Sequence, residues 1–398
     1  VRAAGSRKWD VDGNEYLDYV MGHGALILGH SHPRIVEAVR AQVERGLHYG
    51  DNHALELEWA ERIRELMPGA ARIEYFASGQ EANIMGIRIA RAMTGRRKLL
   101  KFKYCYHGWT DELAGEGSPG TITDNVTVIP AGDPALLERH LASGEYAVAL
   151  IEGGGARLAG RVPIPADFYR LLPEVARRYG TASMLDEVVT GFREAPGGWQ
   201  SVVGMEPDLT SVGKAVGGGV PCGALLGRAD LLEALSPDSS PARIITHGGT
   251  WNAVPVTCAA GITACELYRD GEPQRAARTA ADRLRAEANA RFERIGAPAW
   301  LYGRSVLHIY LGPVAGPPVE DGGPPLAAPA TLMDPAAAPR YKRLDLHLLH
   351  RGVATTRGEA MILSAAHTER DIEETATALE AAVTAMIEEG TLGGDRYE

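Results

Sequence analysis

From about residue 55 to residue 265 the chain repeats one pattern: a short apolar run, a turn of small residues, then an amphipathic stretch. The apolar runs lie at 73–76, 99–102, 126–129, 147–151, 183–186, 209–212 and 222–226, and the helical stretches near 55–67, 80–93, 134–142, 167–179 and 253–269. Strands alternating with helices of this length predict an α/β domain built on a largely parallel sheet. Sheets of that kind bind ligands at the carboxyl ends of their strands. Polar residues stand at those ends: Ser78, Glu152, Asp186 and Lys214 each follow or close an apolar run.

The flanking segments read differently. WDVDGNEYLDYV (residues 9–20) predicts a hairpin turned at Asp12-Gly13-Asn14. Similar letters open a calcium loop, but here the glycine is misplaced and no Glu stands at loop position 12. Gly29-His30-Ser31-His32-Pro33 leads into a helix at about 33–46, with Ile35, Val36 and Val39 on one face. The two histidines read as turn and cap residues, since no third ligand accompanies them. A charged amphipathic helix is expected at 272–295, an irregular Pro-, Gly- and Ala-rich surface segment at 311–340, a short strand at 360–365 and a last helix at 369–389.

Charge and cysteines exclude several function classes. The formal net charge is −10 with no basic run, which argues against nucleic-acid and anionic-membrane partners. The four cysteines, Cys105, Cys222, Cys258 and Cys265, form no CxxC pair, so neither a zinc knuckle nor a disulfide framework is suggested. They read as reduced thiols of a cytoplasmic protein. No apolar run approaches the roughly 18 residues of a membrane helix. Val1–Asp10 holds no apolar signal core, and the abrupt start leads us to expect residues upstream.

The strongest chemical constellation is LDEVVTGFR (185–193) followed by DLTSVGKAVGGG (208–219). An acid ends one buried strand and a lysine follows the next, inside a run of small residues that a flat ligand can approach closely. An aldehyde cofactor needs this arrangement: an amine to form the imine and a carboxylate to keep a pyridine nitrogen protonated. A buried salt bridge would have the same spacing. Phe76-Ala77-Ser78-Gly79-Gln80-Glu81-Ala82 is a strand, a turn and a helix start, which attracts phosphate, although a plain N-cap has the same letters. Tyr104-Cys105-Tyr106-His107-Gly108 offers an aromatic to stack on a heterocycle or simply to pack. His247-Gly248-Gly249-Thr250-Trp251-Asn252 offers backbone and hydroxyl donors before a helix.

Together these segments resemble the class III aminotransferases, which depend on pyridoxal 5′-phosphate (PLP) and share PLP fold type I. The similarity is greatest to the glutamate-1-semialdehyde aminomutase-like branch, and it runs from WDVDGNEYLDYV and LGHSHP to LSAAHT near the C-terminus. The resemblance implies a large α/β domain with a mostly parallel seven-stranded sheet between helices, at 46–268. A smaller α+β domain would be built from both chain ends, 1–45 and 269–398. Lys214 would be the Schiff-base lysine and proton shuttle. Asp186 would pair with the pyridine nitrogen, Val188 would press on one ring face, and Tyr106 would stack on the other with His107 beside it. Ser78, Gly79 and Gln80 would hold the phosphate, and Glu152 would lie near the ring. Thr250 would reach the phosphate in a neighbouring subunit, which implies a homodimer. Amine and oxo substrates would be taken in turn, with pyridoxamine 5′-phosphate as the half-reaction form.

The chain departs from the family on the substrate side. A tryptophan-containing turn is replaced by Gly22-His23-Gly24-Ala25, so His23 becomes a substrate-side candidate. Gln80 stands where the phosphate turn usually has threonine. Arg157 stands where an asparagine is expected, and Arg357 is new, while Glu359 keeps the position of an acid on the substrate side. An arginine binds a carboxylate through two parallel hydrogen bonds, so either Arg157 or Arg357 could hold a substrate carboxylate; a surface salt bridge is the plainer reading.

The leading expectation is transfer of an amino group between an amino acid or related amine and an oxo acid or aldehyde. The alternatives on the same scaffold are an intramolecular aminomutase and a racemase or epimerase. Ser211-Val212-Gly213-Lys214 also matches the SxxK of serine acyl-enzymes, but the companion SDN and KTG motifs are absent. A P-loop is excluded because Ala follows Lys214 and the leading Gly is missing. A scaffold retained only for binding would have little need of Lys214, Asp186 and the Ser-Gly turn together.

Overall fold

The fold is that of a computed structural model, which describes residues 1–236, 239–240, 244–313, 322–324 and 328–393. The chain forms two compact units. The first comprises Val1–Pro33, Gly160–Pro163 and Gly271–Glu398; the second comprises Arg34–Ala159 and Ile164–Asp270.

The first unit opens with β1 (Arg2–Ala4), β2 (Arg7–Trp9) and β3 (Glu15–Asp18). The expected hairpin forms between β2 and β3, with Trp9 opposite Glu15. Its turn is wider than a two-residue one because Asp10 organises it: Oδ1 accepts the N–H groups of Asp12 and Asn14 at 3.0 and 2.9 Å. Helix α1 (Pro33–Arg45) follows at the unit boundary. It buries Ile35, but Val36 is exposed, so the expected apolar face is only partly used.

The second unit carries the seven-stranded sheet. Its strands are β4 (Arg72–Phe76), β5 (Lys98–Phe102), β6 (Val126–Ile129), β7 (Tyr146–Glu152), β8 (Ala182–Glu187), β9 (Leu209–Gly213) and β10 (Gly223–Gly227), in the order β4-β10-β9-β8-β7-β5-β6. β10 runs antiparallel to both neighbours and every other pairing is parallel. The helices of this unit are α2 (Ala54–Leu66), α3 (Gly79–Thr94), α4 (Pro134–Leu141), α5 (Ala166–Arg178), α6 (Gly198–Val203), α7 (Ala229–Leu232) and α8 (Pro255–Tyr268); α3, α5, α6 and α7 pack on the sheet, α4 on α5 and α8 on α2. β7 to β10 are buried at every position, as inner strands of a sheet covered on both faces must be, which is why they read as largely apolar runs. Helix α3 starts with a capping box: Ser78 Oγ accepts the Glu81 N–H, and the Glu81 carboxylate accepts the Ser78 N–H at 2.8 Å.

The first unit continues with α9 (Glu272–Arg294), β11 (Ala299–Gly303), β12 (Val306–Leu311), α10 (Pro329–Leu332), α11 (Ala338–His350), β13 (Val353–Ala354), β14 (Ala360–Ile362) and α12 (Glu369–Glu388). Leu284, Phe292, Leu301, Ile309, Leu344, Ile372 and Leu379 join one apolar core between these helices and strands. The expectation of an irregular segment over 311–340 is corrected at its C-terminal end, where prolines serve as first-turn residues of α10 and α11. Residues 314–321 and 325–327 of that segment lie outside the described residues. Among the described residues no helix is long and apolar enough to cross a membrane.

Candidate active site

The register of the central strands sets out the site. Glu152 at the end of β7 lies opposite Asp186 of β8, and Asp186 lies opposite Ser211 of β9. Lys214 follows β9, Ser78 follows β4, and Tyr106 and His107 follow β5. Ser78, Tyr106, His107, Glu152, Asp186 and Lys214 therefore gather at the carboxyl ends of the strands of one sheet.

Asp186 is 5% exposed and is held by donors from three elements. Its Oδ1 accepts the Val188 N–H at 3.0 Å, and its Oδ2 accepts Asn83 Nδ2 at 2.8 Å. His107 Nδ1 lies 2.9 Å from the same Oδ2. A carboxylate can only accept, so Nδ1 carries the proton. Asn83 extends the network: its Nδ2 also donates to the His107 carbonyl at 2.9 Å, and its Oδ1 accepts Ser211 Oγ at 2.6 Å. Asn83 was not singled out from the sequence, and Ser211 only as the serine of the acyl-enzyme alternative, yet together they lock Asp186 in place. The available signal was a polar residue on the buried stripe of α3, beside Ala82, Met85 and Gly86. Ser211, buried and engaged in this way, is no free nucleophile, which removes the serine acyl-enzyme reading.

Lys214 sits at φ 51° directly after Gly213. Non-glycine residues occupy that region at a cost and cluster at functional positions. Among the described residues no hydrogen bond or ion pair reaches its Nζ. Burial lowers the affinity of the Lys214 amine for a proton, while the negative charges of Asp186 and Glu152 pull the other way. The buried-salt-bridge alternative fails, since Asp186 is satisfied by Asn83, His107 and Val188 instead of by the lysine.

Glu152 is 3% exposed. Burial pushes its carboxyl up to about 8 and Asp186 adds to the rise, although three backbone N–H groups oppose it. Glu187, equally buried, lies apart in role: it accepts Thr190 Oγ1 at 2.8 Å and the Trp199 and Gln200 N–H groups at 2.6 and 2.9 Å.

The phosphate turn has an open helix start. The Gly79 and Gln80 N–H groups meet no acceptor among the described residues, as an anion site requires. Gln80 turns its Oε1 to the Trp109 N–H at 2.7 Å. Gly79 cannot be larger, because a Cβ there would lie 2.3 Å from Val188 Cγ2. Tyr106 is exposed, and its own N–H donates to Glu152 at 2.9 Å. Thr250 is exposed, with its carbonyl accepting from His48. Arg157 is exposed, and its guanidinium has no hydrogen bond or ion pair among the described residues.

The remaining candidates belong to the first unit. His23 is exposed at φ 53° in the turn Met21–Gly24. Arg357 is exposed at φ 57° and makes no ion pair among the described residues, so the surface-salt-bridge reading is not what is observed. Glu359 is paired: Arg161 Nη1 lies 2.5 Å from its Oε2, while Arg161 Nε donates to the Leu332 carbonyl at 2.9 Å.

These residues fit PLP. An unpartnered lysine can take its aldehyde, a buried carboxylate with no Lys or Arg partner among the described residues can hold its protonated nitrogen, and free N–H groups at a helix start can take its phosphate.

The sequence profile of the family described as aminotransferase class-III matches residues 1–133 and 137–296. The glutamate-1-semialdehyde 2,1-aminomutase of Chloroflexus aurantiacus is 34% identical over 413 aligned positions, covering 97% of this chain and 89% of that protein. An omega-transaminase from Sphaerobacter thermophilus superposes with a TM-score of 0.86 at 33% identity, covering 96% of this chain and 90% of that one. A beta-phenylalanine aminotransferase from Variovorax paradoxus superposes with a TM-score of 0.85 at 30% identity, covering 98% and 87%. The chain thus belongs to the class III aminotransferases, enzymes of PLP fold type I that work with pyridoxal 5′-phosphate.

Proposed function

We propose that the enzyme transfers an amino group between an amino acid or related amine and an oxo acid or aldehyde, with Lys214 as its catalytic amine. The observation that carries this reading is a lysine with no hydrogen-bond or ion-pair partner among the described residues, beside a carboxylate that Asn83, His107 and the Val188 N–H hold fixed. Bound PLP supplies an aldehyde that takes up the amino group and a protonated ring that withdraws electrons from the substrate Cα. Asp186 keeps the proton on the pyridine nitrogen, and Asn83, His107 and the Val188 N–H keep Asp186 aimed. Lys214, whose proton affinity burial lowers, would take the proton from the substrate Cα and deliver it to the carbon that had been the cofactor's aldehyde. Such acid–base help is worth about 10²–10⁴-fold in rate. Ser78, Gly79 and Gln80 hold the phosphate, Val188 and Tyr106 flank the ring, and Glu152 lies near it.

Two further parts complete the proposal. The enzyme is a cytoplasmic homodimer in which Thr250 serves the partner's phosphate site. Exposed Val43, Leu47, Tyr49 and Trp251 favour a second copy, since they are large apolar groups on the unit that holds Thr250. Arg157 or Arg357 holds a substrate carboxylate; His23 and Glu359 enter on the resemblance alone.

A second reading, isomerisation within one molecule, is favoured by curated relatives such as the Chloroflexus aminomutase. The test is an amine screen on the PLP form, followed by absorbance, with and without an added 2-oxo acid. Transfer gives one oxo product per amine consumed and requires the acceptor for turnover. Turnover of an amine without an acceptor and without an oxo product would establish the second reading instead.

A further inference from the structure

The segment after β7 contains a backbone device that holding the cofactor does not require. Arg157, Leu158 and Ala159 take φ of 62°, 54° and 63° in succession. A single non-glycine residue in the left-handed region costs roughly 1–2 kcal/mol, so three in a row need something to hold them.

The holder is Glu152. Its Oε2 accepts the N–H of Arg157 at 2.7 Å and of Tyr106 at 2.9 Å, and its Oε1 accepts that of Ala159 at 3.4 Å. No cation lies within ion-pair range of this carboxylate among the described residues, so backbone donors are what it satisfies itself with. The start of the segment is pinned as well. The Gly153 N–H donates to the Asp186 carbonyl at 2.8 Å, and Tyr169 Oη donates to the Glu152 carbonyl at 2.6 Å while accepting the Gly155 N–H at 2.9 Å. One buried carboxylate thus fixes the Arg157 turn to the strand-end segment that carries Tyr106. All of these interactions fix the backbone. The Arg157 side chain itself stays exposed and makes no hydrogen bond or ion pair among the described residues, so its guanidinium is free to meet a ligand.

We propose that Arg157 selects amines that carry a carboxylate, and that Glu152 is the positioning residue that fixes Arg157 relative to Tyr106 and Asp186. The inference rests on the transfer reading above and assigns the substrate class of the same site. A guanidinium held at a fixed place offers a planar fork that matches a carboxylate through two parallel bonds, which a plain amine cannot use.

The test compares L-alanine with isopropylamine, which differs by a methyl in place of the carboxylate. The second-order rate constant for conversion of the PLP form is measured for both. Arg157→Ala should lower the preference for alanine by about 10- to 100-fold, the worth of a charged hydrogen-bonded pair, and Arg157→Lys should restore only part of it. Glu152→Gln should lower the same preference ratio by raising KM for alanine, and Ala159→Gly added to it should recover part of the ratio, because glycine takes the left-handed turn without help. A purely structural role for Glu152 would move both amines together and overturn the positioning claim. A preference unchanged in Arg157→Ala would overturn the claim for Arg157. If neither amine reacts, succinate binding to the holoenzyme is measured by calorimetry, and an unchanged dissociation constant in Arg157→Ala overturns the claim equally. Failure of the transfer reading looks different: no amine in the wider screen would convert the intact PLP form.

Discussion

Replacing Asn83 with alanine tests whether the network around Asp186 is as tightly built as its distances imply. Asn83 is 1% exposed and makes three bonds: 2.8 Å to Asp186 Oδ2, 2.9 Å to the His107 carbonyl and 2.6 Å from Ser211 Oγ. The first is to a charged acceptor and is worth about 1.5–3 kcal/mol, while the other two leave a buried carbonyl and a buried hydroxyl short of a partner at about 1 kcal/mol each. Together these predict a loss of about 4 kcal/mol, a large share of the 5–15 kcal/mol that holds a typical domain folded. The assay is urea unfolding of the holoenzyme at fixed cofactor concentration, repeated for Asp186→Ala and for the double variant. The cycle should give a coupling of about 1.5–3 kcal/mol between Asn83 and Asp186. A loss below about 1 kcal/mol, or a coupling near zero, would refute the reasoning.

Other outcomes follow from the same geometry. Gly223→Ala should expel the cofactor and lower Tm sharply, because the new Cβ would lie 2.1 Å from the Ser78 carbonyl oxygen and would push β10 off the phosphate turn; retention of the PLP absorbance at wild-type Tm would contradict this. Glu187→Gln should flatten the pH dependence of stability. Burial raises the Glu187 carboxyl from an ordinary 4.5 to about 7, so the folded state binds a proton that the unfolded state has released. Its contribution is present below 4.5 and is lost as pH rises toward 7, at about 1.4 kcal/mol per pH unit. Relative to wild type, the variant should gain Tm between pH 5 and pH 8, and a constant difference would count against the assignment. Arg161→Ala removes the partner of Glu359 and the donor to the Leu332 carbonyl, and should cost about 3 kcal/mol in chemical unfolding, whereas a cost near zero would mean the pair is not formed in solution.

The sequence by itself determined the sheet of the second unit and the residue types along its edge. Parallel strands buried on both faces must be continuous apolar runs, and an acid or lysine at the end of such a run has few bland explanations. That is why Glu152, Asp186 and Lys214 were legible in order along the chain. Helix α11 was not, because it begins at Ala338 inside a Pro- and Gly-rich stretch whose composition masks it.

Only the tertiary structure decided which of the polar residues meet. Asn83 and Asp186 stand 103 residues apart, and Arg161 and Glu359 stand 198 apart. Hydrogen bonds over such separations depend on strand register and helix packing, and neither leaves a local mark in the sequence. The reversal of β10 beneath the Ser78 turn and the left-handed run at 157–159 are of the same kind. Backbone strain survives only where surrounding groups hold it, and the group that does so here, the buried carboxylate of Glu152, is five residues away in sequence from Arg157 and 46 from Tyr106.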